Sequence, residues 1–303
     1  MEGGKPKVNG VEHADDLNGN HEFLHKDVRP DLAMNKIKTA GSISISPELF
    51  EKLYLSPQNQ VKGDLRKTFG NPTPIGLLGF VLSLGPLSCD LMGWRGAGGS
   101  GAASISGRGG DRPAYIFFGG MLMTLGGLLE FFLGNTFPCI VFVAFGAFYL
   151  SFGSTLLPQF NAYAAYAPPD AASPAAGLET QGFNASFGFF TLSMMVLCVI
   201  FLVCSVRTNI AFVIIFIGLS MTFGFVTGAY WTLASDYVGN AAFASRLLVG
   251  AGACAFAATA VGWWIFFSIL LASVDFPITL PVGDLSTKIR GASDRRSSEA
   301  SGV

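Results

Sequence analysis

The chain has 303 residues, half of them hydrophobic, and 13% charged, where a soluble domain carries about a quarter. Its net charge of −1 leaves no basic surplus for a nucleic-acid partner. Most charges fall in the tails and loops, which excludes an ordinary soluble domain and predicts a membrane protein.

Residues 1–70 are polar and lack an apolar stretch at the start, so a cytosolic, mostly disordered tail without a cleavable signal peptide is expected. Within it, "SPELFEKLYL" predicts a short helix near 46–55, with Ser46 as cap, Pro47 in its first turn and Glu48 at the positive dipole end. Leu49, Phe50, Leu53 and Tyr54 share one face of it. That face docks on the membrane or on the mouth of the core, or the helix stays transient and unpartnered.

Six apolar runs follow, each near the ~20 residues that a bilayer requires. They are Ile75–Trp94, Ala114–Leu133, Phe137–Leu156, Phe187–Val206, Ile210–Trp231 and Leu247–Ser273. The membrane domain is thus 71–273, and 274–303 forms a second cytosolic tail. The glycine-rich loop after the first run contains "GRGG" but no preceding strand, so it reads as a spacer. An even number of spans puts both ends on one side. Lys62, Arg66, Lys67, Arg207, Lys288 and Arg290 there outweigh Arg95, Arg108, Arg112 and Arg246 opposite, which favours cytosolic ends. The sequon at Asn184 lies too close to the fourth run for use.

Small residues recur at helical spacing. Gly250, Cys254, Ala258 and Gly262 make a smooth stripe on the sixth run, and Ser220, Gly224 and Gly228 one on the fifth. The second carries Gly119, Gly120, Gly126 and Gly127. Such stripes let helices approach closely in lipid, within one chain or between chains.

Catalytic chemistry is missing. All three histidines (His13, His21, His25) lie in the tail, no lysine lies within a run, and no pair of aspartates faces across the membrane. The cysteines Cys89, Cys139, Cys198, Cys204 and Cys254 show no metal or redox spacing and read as packing residues. The expectation is a non-enzyme without metal or cofactor. Glu130 is the one ionisable residue firmly inside a run. It is either a proton relay or a structural hydrogen-bond acceptor.

The first run opens with "NPTPIGLLGF". Pro72 and Pro74 suit a first helical turn, and Asn71 can accept from its free N–H groups. This sequence, "GGLLEFFLGNTF" from Gly126 to Phe137 and "LPVGD" from Leu280 to Asp284 together resemble the acetate uptake transporter family, the succinate–acetate permeases and their long-tailed fungal relatives. The resemblance covers roughly residues 60–285, and "SPELFEKLYLSPQNQVKGDLRKTFGNPTP" looks like the pre-membrane region of the fungal branch.

What the resemblance implies is an all-α integral membrane protein: a six-transmembrane-helix bundle with a pore within each protomer, assembled as a homo-hexamer in the plasma membrane among its lipids. Its function would be that of a channel-like or proton-coupled permease for acetate and related short monocarboxylates. Asn71, Pro72, Pro74, Gly76, Gly134, Asn135 and Thr136 fall on the motifs. The pore constriction of the family, a Phe, a Tyr and a Leu, maps onto Phe80, Phe145 and Leu219, so that Phe145 stands where the family has the tyrosine. The three residues sit at comparable depth, roughly 8–15 Å into parallel helices, where apolar rings at one level can gate by dewetting. Two other readings remain. One is an acetate-responsive sensor or regulator acting through the Ser/Thr-rich tail, and the other is a permease for another small solute such as ammonia.

Overall fold

The computed structural model describes residues 69–98 and 112–285. The readings made on the tails, the helix near 46–55 included, lie outside the described residues. Among the described residues, six helices are long and apolar enough to cross a membrane: α1 (Thr73–Met92), α2 (Tyr115–Phe132), α3 (Thr136–Thr155), α4 (Gln181–Ser205), α5 (Ile210–Ser235) and α6 (Ala241–Ser273). They match the six apolar runs, with α4 and α6 each starting six residues earlier than hydropathy suggested. The Thr180 hydroxyl caps α4 by accepting from the Phe183 N–H. One turn on, the Asn184 amide donates to the carbonyls of Leu178 and Thr180 at 2.8 Å each. The sequon asparagine is therefore buried inside the protein. At 33 residues, α6 is about 50 Å long, well beyond the ~30 Å of hydrocarbon it would cross.

Consecutive helices run antiparallel, and glycines set their registers. A Cβ built on Gly126 of α2 would stand 2.7 Å from the backbone nitrogen of Gly76 in α1. One on Gly127 would meet Val143 of α3 at the same distance. The four glycines of α2 thus serve contacts within the chain, two facing α1 and α3 near one end and two near the other. Over Tyr115–Leu122, α2 is wound as a π-helix before it tightens at Met123. In α6 the predicted stripe is partly displaced. Gly262 and Ala258 are buried, whereas Gly250 and Cys254 lie at the margin, and Gly252 takes their place against Leu91 and Met92 of α1. In α5 the tightest glycine contact is at Gly218, 3.0–3.1 Å from Cys254 and Ala258, whereas the nearest atoms at Gly224 and Gly228 stand at 3.3 and 3.6 Å.

Around the bundle the close neighbours are α3–α2, α2–α1, α1–α6, α6–α5 and α5–α4. The remaining seam, α3 to α4, is carried by aromatic rings. Phe148 stacks on Phe190 with centroids 5.9 Å apart, Phe152 meets Phe187 at 6.4 Å and Phe145 meets Phe201 at 6.2 Å. The helices therefore close into a ring whose interior is apolar.

The three sequence motifs meet at one end of this ring, the end at which α1 begins. There Asn71 accepts from the Thr73 N–H at 2.9 Å, and Pro74 occupies the first turn. Gly134 (φ 75) closes α2 in the left-handed conformation that glycine tolerates, and the Asn135 N–H reaches back to the Glu130 carbonyl. Thr136 then starts α3. Beyond α6 the chain folds back. The Ile210 N–H donates to the Gly283 carbonyl at 2.8 Å and the Leu285 N–H to that of Thr208 at 3.1 Å. Trp264 and Ser268 hold the strap by donating to the carbonyls of Pro281 and Leu280. "LPVGD" is thus a backbone staple across the α4–α5 turn.

Candidate functional site

Inside the ring lies a narrow cavity of about 40 Å³. A water needs roughly 10–15 Å³ on this measure, so the space admits a solute of a few heavy atoms. Phe80 of α1, Phe145 of α3 and Leu219 of α5 all line it, each at most 5% exposed. They stand seven to nine residues into helices that start at the same end, at Thr73, Thr136 and Ile210, hence ~11–14 Å deep. The structure therefore brings the three sequence-selected residues to one cavity at one level. Phe80 is seated by α6: a Cβ on Gly262 would be 2.8 Å from its ring. Gly76, one turn before Phe80, gives the same kind of seat to Phe142 of α3.

Among the described residues, no charged side chain lines the cavity, and only Tyr149, Thr191 and Thr222 bring a polar side-chain atom. Both threonines have committed their protons. Thr191 donates to the Gly188 carbonyl at 3.0 Å and pairs with the Thr227 hydroxyl at 2.9 Å. Thr222 donates to the Gly218 carbonyl at 2.8 Å. Towards the end where α1 finishes, Phe187 of α4 completes the wall. The same Phe187 also lines a second, wider hollow of about 280 Å³, between the end of α3 and the start of α4. Ser151, Thr155, Tyr166 and Ser186 bring hydroxyls to it. One phenyl ring thus stands between a hydroxyl-bearing hollow and an oily one.

Glu130 is away from this cavity. It is fully buried at the end where α1 begins. One carboxylate oxygen accepts from the Thr73 hydroxyl. The other accepts from the Asn135 side-chain amide at 2.5 Å. The carboxylate so ties the start of α1 to the turn between α2 and α3. That explains why Asn71, Pro72, Pro74, Gly76, Gly134, Asn135 and Thr136 group in space: they build this junction or the helix starts beside it.

Sequence reasoning passed over Tyr149, Phe187, Thr191 and Thr222. A signal existed for the first, since Tyr149 is one helical turn beyond Phe145 and shares its face. For the α4 and α5 residues, apolar runs without a strong polar face give no direction to read.

The sequence of residues 55–287 matches the model of the GPR1/FUN34/yaaH family. Protein alcS of Aspergillus fumigatus is 49% identical over 81% of this chain and 86% of its own length. Acetate permease A of Emericella nidulans is 30% identical over 52% of this chain and 48% of its own. Among solved structures, that of the bacterial acetate channel SatP superposes with a TM-score of 0.52 at 22% identity, over 71% of this chain and 99% of that one.

Proposed function

Because this chain belongs to the GPR1/FUN34/yaaH family, we propose that it is a membrane permease for acetate and related short monocarboxylates, with Phe80, Phe145 and Leu219 as its constriction. One observation carries the reading: three parallel helices deliver apolar side chains at one depth to a single small cavity without a charged wall. The similarity to a protein named acetate permease supports the substrate class.

The physics of such a passage follows from its lining. A hydrated ion entering it must shed water, and no fixed charge compensates that loss. A small acid, neutral or as a weakly hydrated anion, loses less and finds apolar walls for its methyl group. Nothing in the wall binds strongly, so the solute also leaves readily. We assign Glu130 the structural role rather than that of relay, because both its oxygens hold partners and neither lines the cavity.

The solute's route runs between the constriction and the hydroxyl-bearing hollow, past Phe187. In our reading the protein is a non-enzymatic homo-hexamer of the plasma membrane, one path per protomer, with both ends of the chain in the cytosol. Outward-facing Phe131, Phe132, Ile200 and Val203 offer apolar surface to lipid or to a neighbouring copy. The test is uptake of labelled acetate by liposomes containing the purified protein, with and without an inward proton gradient. Uptake above protein-free liposomes is expected, and its absence under both conditions refutes the reading. Accumulation against the acetate gradient only when protons are supplied identifies proton coupling.

A further inference from the structure

We propose that the hydroxyl of Tyr149 is the hydrogen-bond donor that positions the carboxyl group of the solute in the cavity. The inference rests on the acetate reading above and adds a specificity-determining residue to it. Three side chains bring oxygen to the cavity, and two have already given their protons to the protein: Thr191 to Gly188 and Thr222 to Gly218. Tyr149 is 2% exposed as a residue, and among the described residues its hydroxyl makes no hydrogen bond.

The hydroxyl oxygen is not sealed off by protein atoms and keeps an open side at the cavity that Tyr149 lines. A bound carboxyl can take its proton there, since a phenol donates to either form of it: to a carboxylate oxygen or to the carbonyl oxygen of the protonated acid.

Position agrees with this role. Tyr149 lies four residues after Phe145 on α3, so its ring is the next one along the same face. Its attachment is fixed by Gly119 of the π-wound segment, where a Cβ would fall 2.5 Å from the ring's first carbon. The ring is stacked near Tyr115, with centroids 6.0 Å apart. A hydroxyl that the resemblance places at position 145 is therefore supplied one turn deeper, past the constriction rather than within it. The solute would pass three apolar side chains first and meet its donor beyond them.

Tyr149→Phe tests this with the smallest change available. The ring that packs on Gly119 is kept and no protein hydrogen bond is lost, so the melting temperature should be unchanged or higher. In liposomes the KM for labelled acetate should rise about tenfold, the usual scale for losing one hydrogen bond to a charged group, with the maximal rate largely kept. Ser193→Ala, which removes from α4 an exposed hydroxyl outside the cavity whose proton goes to the Phe189 carbonyl, should leave KM unchanged. Returning the hydroxyl one turn back, in the double variant Phe145→Tyr/Tyr149→Phe, should recover most of the lost affinity. An unchanged KM in Tyr149→Phe overturns the proposal, as does an equal rise in Ser193→Ala. A lowered melting temperature or failure to fold also overturns it, because the hydroxyl would then have a structural partner. Wild-type protein that takes up no acetate at all refutes the permease reading instead, and this inference with it.

Discussion

Gly262→Ala puts the proposed constriction under test. The added methyl would stand 2.8 Å from Cε1 and 3.1 Å from Cδ1 of Phe80, and 2.9 Å from Cγ1 of Val81. Carbon atoms rest about 3.5–4.0 Å apart, so the Phe80 ring must retreat by roughly 0.7–1.2 Å. On the side away from α6 it borders the cavity, whose free volume is about 40 Å³, so retreat means narrowing the passage. Overpacking of this size costs ~1–3 kcal/mol. If that cost falls on the step through the constriction, transport slows about 5- to 150-fold, a factor of ten for each 1.36 kcal/mol. Gly250→Ala is the control on the same helix, because its nearest atoms, in Phe225, begin at an ordinary 3.7 Å. The assay is labelled acetate uptake at equal reconstituted protein, with the replacement Phe80→Leu added to Gly262→Ala to give the methyl room. Wild-type rates in Gly262→Ala, or equal losses in Gly250→Ala, refute the placement of Phe80 as a pore wall seated on α6.

Three further outcomes follow from other contacts. Glu130→Gln leaves an amide group facing donors that now address a carboxylate, so thermal stability in detergent should fall by about 1–3 kcal/mol. A protein that melts like wild type but loses its response to a proton gradient would instead make Glu130 a relay. Phe187→Ala removes the ring between the two hollows, and competition assays should show larger monocarboxylates gaining on acetate; an unaltered ranking contradicts the route. Gly283→Ala forces a side chain onto a residue at φ 70 and within 2.9 Å of Ile210. Left-handed strain alone is worth ~1–2 kcal/mol, so the melting temperature should drop, and an unchanged value argues against the strap as a structural staple.

Much of the architecture was legible because lipid leaves few choices. A run of about 20 apolar residues has to be a helix there, and each of the six appears. The first turn of α1 was legible for a local reason, since proline geometry and an asparagine acceptor need no distant partner. Phe80, Phe145 and Leu219, proposed above as the constriction, were singled out through resemblance, and the structure shows that they line one cavity. Other features depend on partners far along the chain. Nothing near Glu130 names Thr73, which lies 57 residues away. The π-wound segment of α2 has no compositional mark, because Gly119 and Gly120 fit an ordinary α-helix as well. The α6 stripe was misplaced at one end for a related reason: several small residues sit side by side, and only the bulk opposite, Leu91 and Met92, selects Gly252 over Gly250.

The uneven use of small and large residues explains how a cavity survives in a chain so rich in phenylalanine. Glycines and alanines lie between neighbouring helices, where they draw backbones together on five of the six seams. Bulky rings lie inside the circle and along the sixth. Close seams hold the wall rigid, while rings facing one another across the centre cannot interdigitate as deeply as small side chains would. The space left between Phe80, Phe145, Phe187 and Leu219 is thus a consequence of packing, and α3–α4 is the seam where it can change most easily. Ring contacts there can slide or rotate without parting two backbones, whereas widening the α1–α2 seam would pull Gly126 away from Gly76. Motion that admits a solute should accordingly concentrate in Phe148, Phe152, Phe187 and Phe190, and leave the junction around Glu130 still.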